Sequence, residues 1–146
     1  NPNKKESVDS ENFEIAVWEA IKLRMADRDG NIREDVSFCE NTIDDTFICY
    51  KVNGEYVIGV HGHLDKTSKV VNDFMKMLKA PIKEIHMGHL HHIEMKEDSD
   101  IKLIMNSTMS GVDTYAKNGR FFGRPSHTLR VFDGLNDVSF NIYFSK

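Results

Sequence analysis

The sequence predicts an α/β domain, and three observations carry that expectation. A strand–helix–strand pattern runs from Tyr56 to Met87, at roughly 30 residues the size of a βαβ unit with parallel strands. Antiparallel hairpin signals stand on either side of it. The chain has 146 residues, 40% hydrophobic and 29% charged, enough to bury one core, so a single domain over 1–146 is expected.

The elements follow in order. Asp9 or Ser10 can cap a helix over 11–27, in which Phe13, Val17, Ala20, Ile21 and Met25 form one apolar stripe that ends at Asp29-Gly30. Trp18 and Met25 read as packing residues. Thr46 to Val52 and Glu55 to Val60 are strand-like runs separated by Asn53-Gly54, the pair that suits the positive φ angles of a type I′ turn. The second run leads into His61-Gly62-His63-Leu64-Asp65, and Asp65 or Thr67 can cap the next helix. Val70, Val71, Phe74, Met77 and Leu78 give that helix an apolar face, and Ala80-Pro81 stops it. Ile82 to Met87 is the strand that follows. His92 to Lys96 and Ile101 to Met105, joined by Glu97 to Asp100, predict an antiparallel hairpin. A Gly-rich, basic stretch from Ser107 to Ser126 precedes two last strands, Thr128 to Phe132 and Val138 to Phe144. In the final strand Val138, Phe140, Ile142 and Phe144 alternate with polar residues, as a sheet with one buried face requires.

The bulk properties exclude some functions. The net charge of -4 argues against a general nucleic-acid or membrane coat, although a local basic surface can sit inside an acidic average. No apolar run approaches the ~20 residues that span a bilayer, and Asn1 to Ser10 is polar rather than signal-like, so a cytoplasmic protein without a membrane partner is expected. Cys39 and Cys49 lie in apolar surroundings without a Cys-x-x-Cys spacing and read as buried free thiols.

Six of the seven histidines fall between positions 61 and 92. His61 and His63 leave the carboxyl end of the first parallel strand, and His89 and His91 leave that of the second. Parallel strands put these ends on one edge, where open α/β sheets place their ligands. Neutral imidazole suits manganese, iron, zinc or nickel. Gly88 permits a sharp turn, and an extended Gly88-His89-Leu90-His91 segment would point His89 and His91 to the same side. His61, His89 and His91 are therefore the expected metal ligands. His63 reads as a further ligand, a support for the ligands or a substrate-facing residue, and is placed with the substrate-binding group. His86, inside a strand, is expected to be structural, and His92 to point away from His91.

Val60-His61-Gly62-His63 followed by Gly88-His89-Leu90-His91 resembles the last two metal motifs of the calcineurin-like metallophosphoesterases. The resemblance implies a two-sheet α/β sandwich with outer helices, of which this chain would be the carboxyl-terminal part. It implies two divalent transition-metal ions, with His61 and His89 on one and His91 on the other, and hydrolysis of phosphate esters. The family also uses Asp-x-His, Gly-Asp-x-x-Asp and Gly-Asn-His motifs, and none occurs here. In the family all three precede the histidines, so the expectation is that they lie upstream of Asn1 in a longer protein. No catalytic residue is then assigned within this chain. A bridging aspartate lets two divalent ions sit ~3.5–4 Å apart, so without it the pair should collapse to one ion or none.

Between Asp113 and Asp133 there is no acidic residue, yet Lys117, Arg120, Arg124 and Arg130 interleave with Tyr115, Phe121, Phe122 and Phe132. Guanidinium groups match phosphate oxygens, and aromatic rings stack on bases. Arg120, Arg124 and His127 are the candidate substrate contacts, and the stretch favours a phosphodiester of nucleic acid over a phosphomonoester; a solvated loop anchored by its Phe residues is the plainer reading. A homo-oligomer through an exposed sheet face is expected. The rival function is a non-catalytic metal-binding or scaffolding module.

Overall fold

The computed structural model describes residues 13–38, 43, 46–109, 117, 118, 120, 123–134 and 136–144. Cys39, Tyr115, Phe121 and Phe122, which the sequence singles out, lie outside them. The chain divides into two compact units, Asn1–Glu40 and Asn41–Lys146.

In the first unit helix α1 spans Phe13–Arg24, shorter than the expected 11–27. Residues 11 and 12 lie outside the description. At the other end the helix gives way to a turn closed by a bridge between Ala26 and Ile32. The Asp27 carboxylate accepts the backbone N–H groups of Asp29 and Asn31, which offers these residues an alternative to the helix. Trp18 packs edge-on against Phe38, with ring centroids 5.1 Å apart. Val17 and Ile21 of the apolar stripe are exposed.

The second unit is built on a five-stranded sheet in the order β1-β2-β3-β5-β4. Its strands are β1 Phe47–Val52, β2 Glu55–Val60, β3 Ile82–Met87, β4 Glu94–Asp98 and β5 Ile101–Met105. Asn53 and Gly54 both have positive φ, so β1 and β2 form the expected tight hairpin. Strands β2 and β3 are parallel neighbours, and β3 is parallel to β5 in turn. Helix α2, Val70–Leu78, makes the crossover between β2 and β3. Its Val70, Val71 and Phe74 cluster with Ile58, Ile85, Met87, Leu103 and Met105 in the core. Each such side chain stabilises the unit by about 1.5–3 kcal/mol relative to exposure.

Two expectations about turns are corrected. Neither Asp65 nor Thr67 caps α2: the cap position is Lys69, without a side-chain bond. The Lys66 carbonyl accepts the N–H groups of Lys69 and Val70, so a backbone turn satisfies those donors. The hairpin after His92 is also tighter than expected. Strand β4 runs over Glu94–Asp98 rather than His92 to Lys96, and only Ser99 and Asp100, both at positive φ, form the turn.

Strands β6, Ser126–Phe132, and β7, Asp137–Tyr143, form a separate antiparallel sheet. Its register opposes Leu129 to Phe140 and Val131 to Val138. The expected buried apolar face of the last strand is exposed: Phe140 is 51% and Ile142 44% accessible. The reason is that the opposite, more polar face makes the contacts. Arg130 pairs with Glu84 of β3, and Asp137 lies 2.7 Å from Lys83.

Candidate metal centre

The β2–β3 register opposes Val60 to Met87, so the chain leaves both strands side by side. The Gly88 N–H donates to the Val60 carbonyl at 3.2 Å and extends the pairing by one residue. Gly62 has φ +99°, and a Cβ there would come within 2.8 Å of Met87 Cγ. Glycine is needed at this point both for the backbone angle and for the approach of the methionine.

The expected extended segment after β3 is corrected. His89 and His91 both have left-handed backbones, with φ 64° and 57°. The Leu90 N–H donates to the Gly88 carbonyl at 2.7 Å, which makes a three-residue turn centred on His89. Such a conformation at a non-glycine residue costs about 1–3 kcal/mol and persists where its surroundings enforce it.

The turn brings three imidazoles together at the strand ends. The His61 ring centroid lies 5.2 Å from that of His63 and 5.3 Å from that of His89, and His63 and His89 are 6.4 Å apart. All three residues are exposed. His91 is half-buried and is held by its backbone: Ser107 Oγ donates to its carbonyl at 3.3 Å, and Gly123 packs so closely on the same oxygen that a Cβ would overlap it. As the side chains stand, no three His, Cys, Asp or Glu groups among the described residues are set to hold a metal ion.

Of the substrate-facing candidates, His63 lies in the ring cluster itself, and the backbone of Arg124 is held near that of His91. Ser107 Oγ lies 3.2 Å from the Arg124 carbonyl as well as near that of His91, so one hydroxyl links the two backbones. The exposed Arg124 guanidinium lies over the Tyr143 ring, 5.1 Å from its centroid. Arg120 sits in a turn at φ 58°, its N–H bonded to the Lys117 carbonyl. His127 is exposed on β6 opposite Ile142, on the face away from Ser126 and Arg130, and is not brought to the histidines through that face.

Sequence reasoning missed Glu84, Ser107 and Tyr143. Glu84 is fully buried beside Ile85 in β3. His86 Nε2 lies 3.1 Å from its Oε1, and Arg130 Nε donates to its oxygens at 3.2 and 3.0 Å. Arg130 Nη2 is 2.8 Å from Oε2 without a well-angled hydrogen bond, so that contact is coulombic. Burial pushes the Glu84 carboxyl up, but the His86 and Arg130 hydrogen bonds outweigh it and hold its pKa below the ordinary value. A charged residue inside the apolar run Ile82 to Met87, two before a histidine, is the signal that could have found this pair. His86, in β3, pairs with the buried Glu84. His92 bonds the Leu90 carbonyl and Glu94.

The five-stranded mixed sheet and the second, antiparallel sheet make an α/β fold similar to the metallophosphoesterase fold. Among solved structures, a single mutant of Vps29 from Entamoeba histolytica is similar over 75% of this chain and 67% of its own length, at 14% identity and a TM-score of 0.50. Wild-type Vps29 from the same organism, complexed with Zn2+, matches at 15% identity over 76% of this chain and 67% of its own, with a TM-score of 0.48. A Streptococcus pneumoniae protein described as a predicted phosphoesterase matches at 14% identity over 66% of this chain, with a TM-score of 0.45. At these identities the likeness speaks for the fold alone. The chain spans 62% of the Streptococcus protein and 54% of a similar Thermotoga maritima protein. No family model and no curated protein matches the sequence. No helix among the described residues is long and apolar enough to cross a membrane.

Proposed function

We propose that this chain is the histidine-bearing part of a metal-dependent phosphoester hydrolase, acting on phosphodiesters such as those of nucleic acid. The observation that supports it best is the meeting of the His61, His63 and His89 rings at the β2–β3 edge of a phosphoesterase-like fold. The donor set fits a divalent transition metal such as Mn, Fe, Zn or Ni. It does not fit a metal pair, because no carboxylate joins the histidines in a ligand group among the described residues. A bound metal would polarise a phosphoryl oxygen and make a hydroxide available near neutral pH.

The chain's own residues then have separable roles. His61 and His89 hold the metal, and His91 is the ligand that the motif assigns to a second ion. Arg124, exposed and stacked on Tyr143, offers a guanidinium to a phosphate oxygen. With the motif aspartates absent, the chain alone is catalytically inert. The setting is cytoplasmic. The test is DNA binding by fluorescence anisotropy in manganese. Affinity should fall steeply between 50 and 200 mM salt, and Arg124→Gln should lower both the affinity and the salt slope, the latter by about 1. Salt-independent binding, or none, contradicts the nucleic-acid reading.

A second reading, a non-catalytic metal-binding or scaffolding module, is favoured by the exposed apolar face of β6 and β7. Leu129, Val131, Val138, Phe140 and Ile142 share that face, and such surfaces associate.

A further inference from the structure

We infer that Arg124 and Tyr143 form a stacking platform that takes single-stranded nucleic acid in preference to duplex, the guanidinium meeting a base on its open face and a phosphate at its edge. This rests on the nucleic-acid reading above and narrows its substrate class.

The first observation is the way Arg124 is built into the fold. Its carbonyl stands 3.2 Å from the hydroxyls of both Ser107 and Ser126, and Ser126 is 1% exposed. The Ser126 N–H donates to the Thr108 carbonyl at 3.2 Å, and the Phe144 N–H to the Pro125 carbonyl at 3.0 Å. These bonds tie the start of β6 to the chain beyond β5 and to the end of β7. The Arg124 backbone is therefore fixed, while its side chain is exposed.

The second observation is what lies against the guanidinium. Its carbon is 5.1 Å from the centroid of the Tyr143 ring, which is itself 48% exposed. The ring quadrupole attracts the cation, so the side chain has less freedom left to lose when it binds a ligand. With the ring on one side and the residue exposed, the guanidinium is open on the other. No carboxylate pairs with it among the described residues, and the sequence has no acidic residue between Asp113 and Asp133. A pre-placed planar cation without a counter-charge suits an anionic ligand that also carries a flat face.

The third argument is the chemistry of that ligand. A single strand supplies both features, because its unstacked bases offer their faces to aromatic rings and guanidinium planes beside a charged backbone. In a duplex the bases cover one another, and only phosphates and groove edges remain. Charge alone attracts both forms; the plane distinguishes them. Arg120 extends the track. It is exposed, and four residues from Arg124 its Cα can lie no more than ~14 Å away, so it can meet a neighbouring phosphate of the same strand.

The experiment is fluorescence anisotropy of the whole chain in manganese, with a labelled strand of about 12 nucleotides free and paired to its complement. The strand should bind at least ~5-fold more tightly than the duplex. Arg124→Lys, which keeps the charge and loses the plane, should bring the strand down to the duplex affinity and leave the duplex within ~2-fold. Tyr143→Phe, which keeps the ring, should match the wild type within ~2-fold, and Tyr143→Leu should weaken binding of the strand alone. Far-UV circular dichroism identifies any variant that has not folded, and Arg124→Lys, at an exposed position, is expected to fold. Equal affinity for the two forms, or a preference that Arg124→Lys leaves unchanged, would overturn the inference and leave nucleic-acid binding standing. Displacement of the strand by polyglutamate as readily as by unlabelled strand would also overturn it, since carboxylates offer charge without a face to stack. Binding of neither form would overturn both readings.

Discussion

Replacing Arg130 with Met should strip the buried Glu84 carboxylate of its main counter-charge and loosen the β6–β7 hairpin from β3. Glu84 is 0% and Arg130 6% exposed, so solvent screens their interaction weakly. Removing one partner of a buried ion pair costs about 3–5 kcal/mol, most of it from the charge left behind. His86 still bonds Glu84 Oε1, which places the expected loss near the lower end, about 3 kcal/mol. For a protein of this size that is a fall in Tm of about 6–12 °C. Glu84→Gln should also destabilise, because it leaves the Arg130 guanidinium buried without its counter-charge while keeping an acceptor for it, and the double variant should recover part of the loss of either single change. Urea denaturation of the four proteins gives the coupling, expected above about 1.5 kcal/mol; additivity within about 0.5 kcal/mol would refute the reasoning. The pH dependence has a definite sign. The folded pKa of Glu84 is depressed below 4.5, so its contribution is present above about pH 4.5 and is lost as pH falls through the folded value. The gap between wild type and Arg130→Met should therefore narrow in acid.

Further outcomes follow from the same contacts. Lys83 is held above its usual 10.5 by its hydrogen bond to Asp137, so its contribution is full below that pH and is lost as pH rises through the folded value; the gap between wild type and Asp137→Asn in thermal melts should therefore be present at neutral pH and close in strong alkali. Gly62→Ala meets both a φ of +99° and the Met87 side chain, and should lower stability by roughly 1–3 kcal/mol in thermal melts; a neutral result would show that this turn is not constrained. Phe140→Lys combined with Ile142→Lys should convert an oligomer to a monomer in light scattering, and a wild type that is already monomeric would contradict association through this face. Hydrolysis of bis-(para-nitrophenyl) phosphate by the chain alone should not exceed the metal background in manganese or nickel, and turnover abolished by His89→Ala would show that the missing carboxylates are dispensable.

The strand–helix–strand unit was legible because its apolar spacing changes period between Val60 and Ile82, and Asn53-Gly54 admitted one turn type. The convergence of His61 and His89 followed from parallel topology alone. The details that escaped depend on the backbone around individual residues. Nothing in Gly88-His89-Leu90-His91 says that both histidines take left-handed angles: His89 sits in the turn closed by the Leu90 N–H on the Gly88 carbonyl, and Ser107 and Gly123, distant in sequence, pack against the His91 carbonyl. Period-2 alternation in the last strand identified an apolar face correctly, but could not say which face meets the neighbouring sheet. Arg130 and Glu84, 46 residues apart, decided that. Local charge asymmetry drew attention to Arg124 and His127 equally, and only the position of His127 on the outer side of β6 separates them.

The most direct test of a metal centre at the β2–β3 edge is anomalous diffraction from crystals of the chain grown with zinc. One peak about 2.0–2.1 Å from ring nitrogens of both His61 and His89 is the predicted result. A zinc-replete, ordered crystal with no peak at that edge, or with its strongest peak on residues elsewhere in the chain, would contradict it.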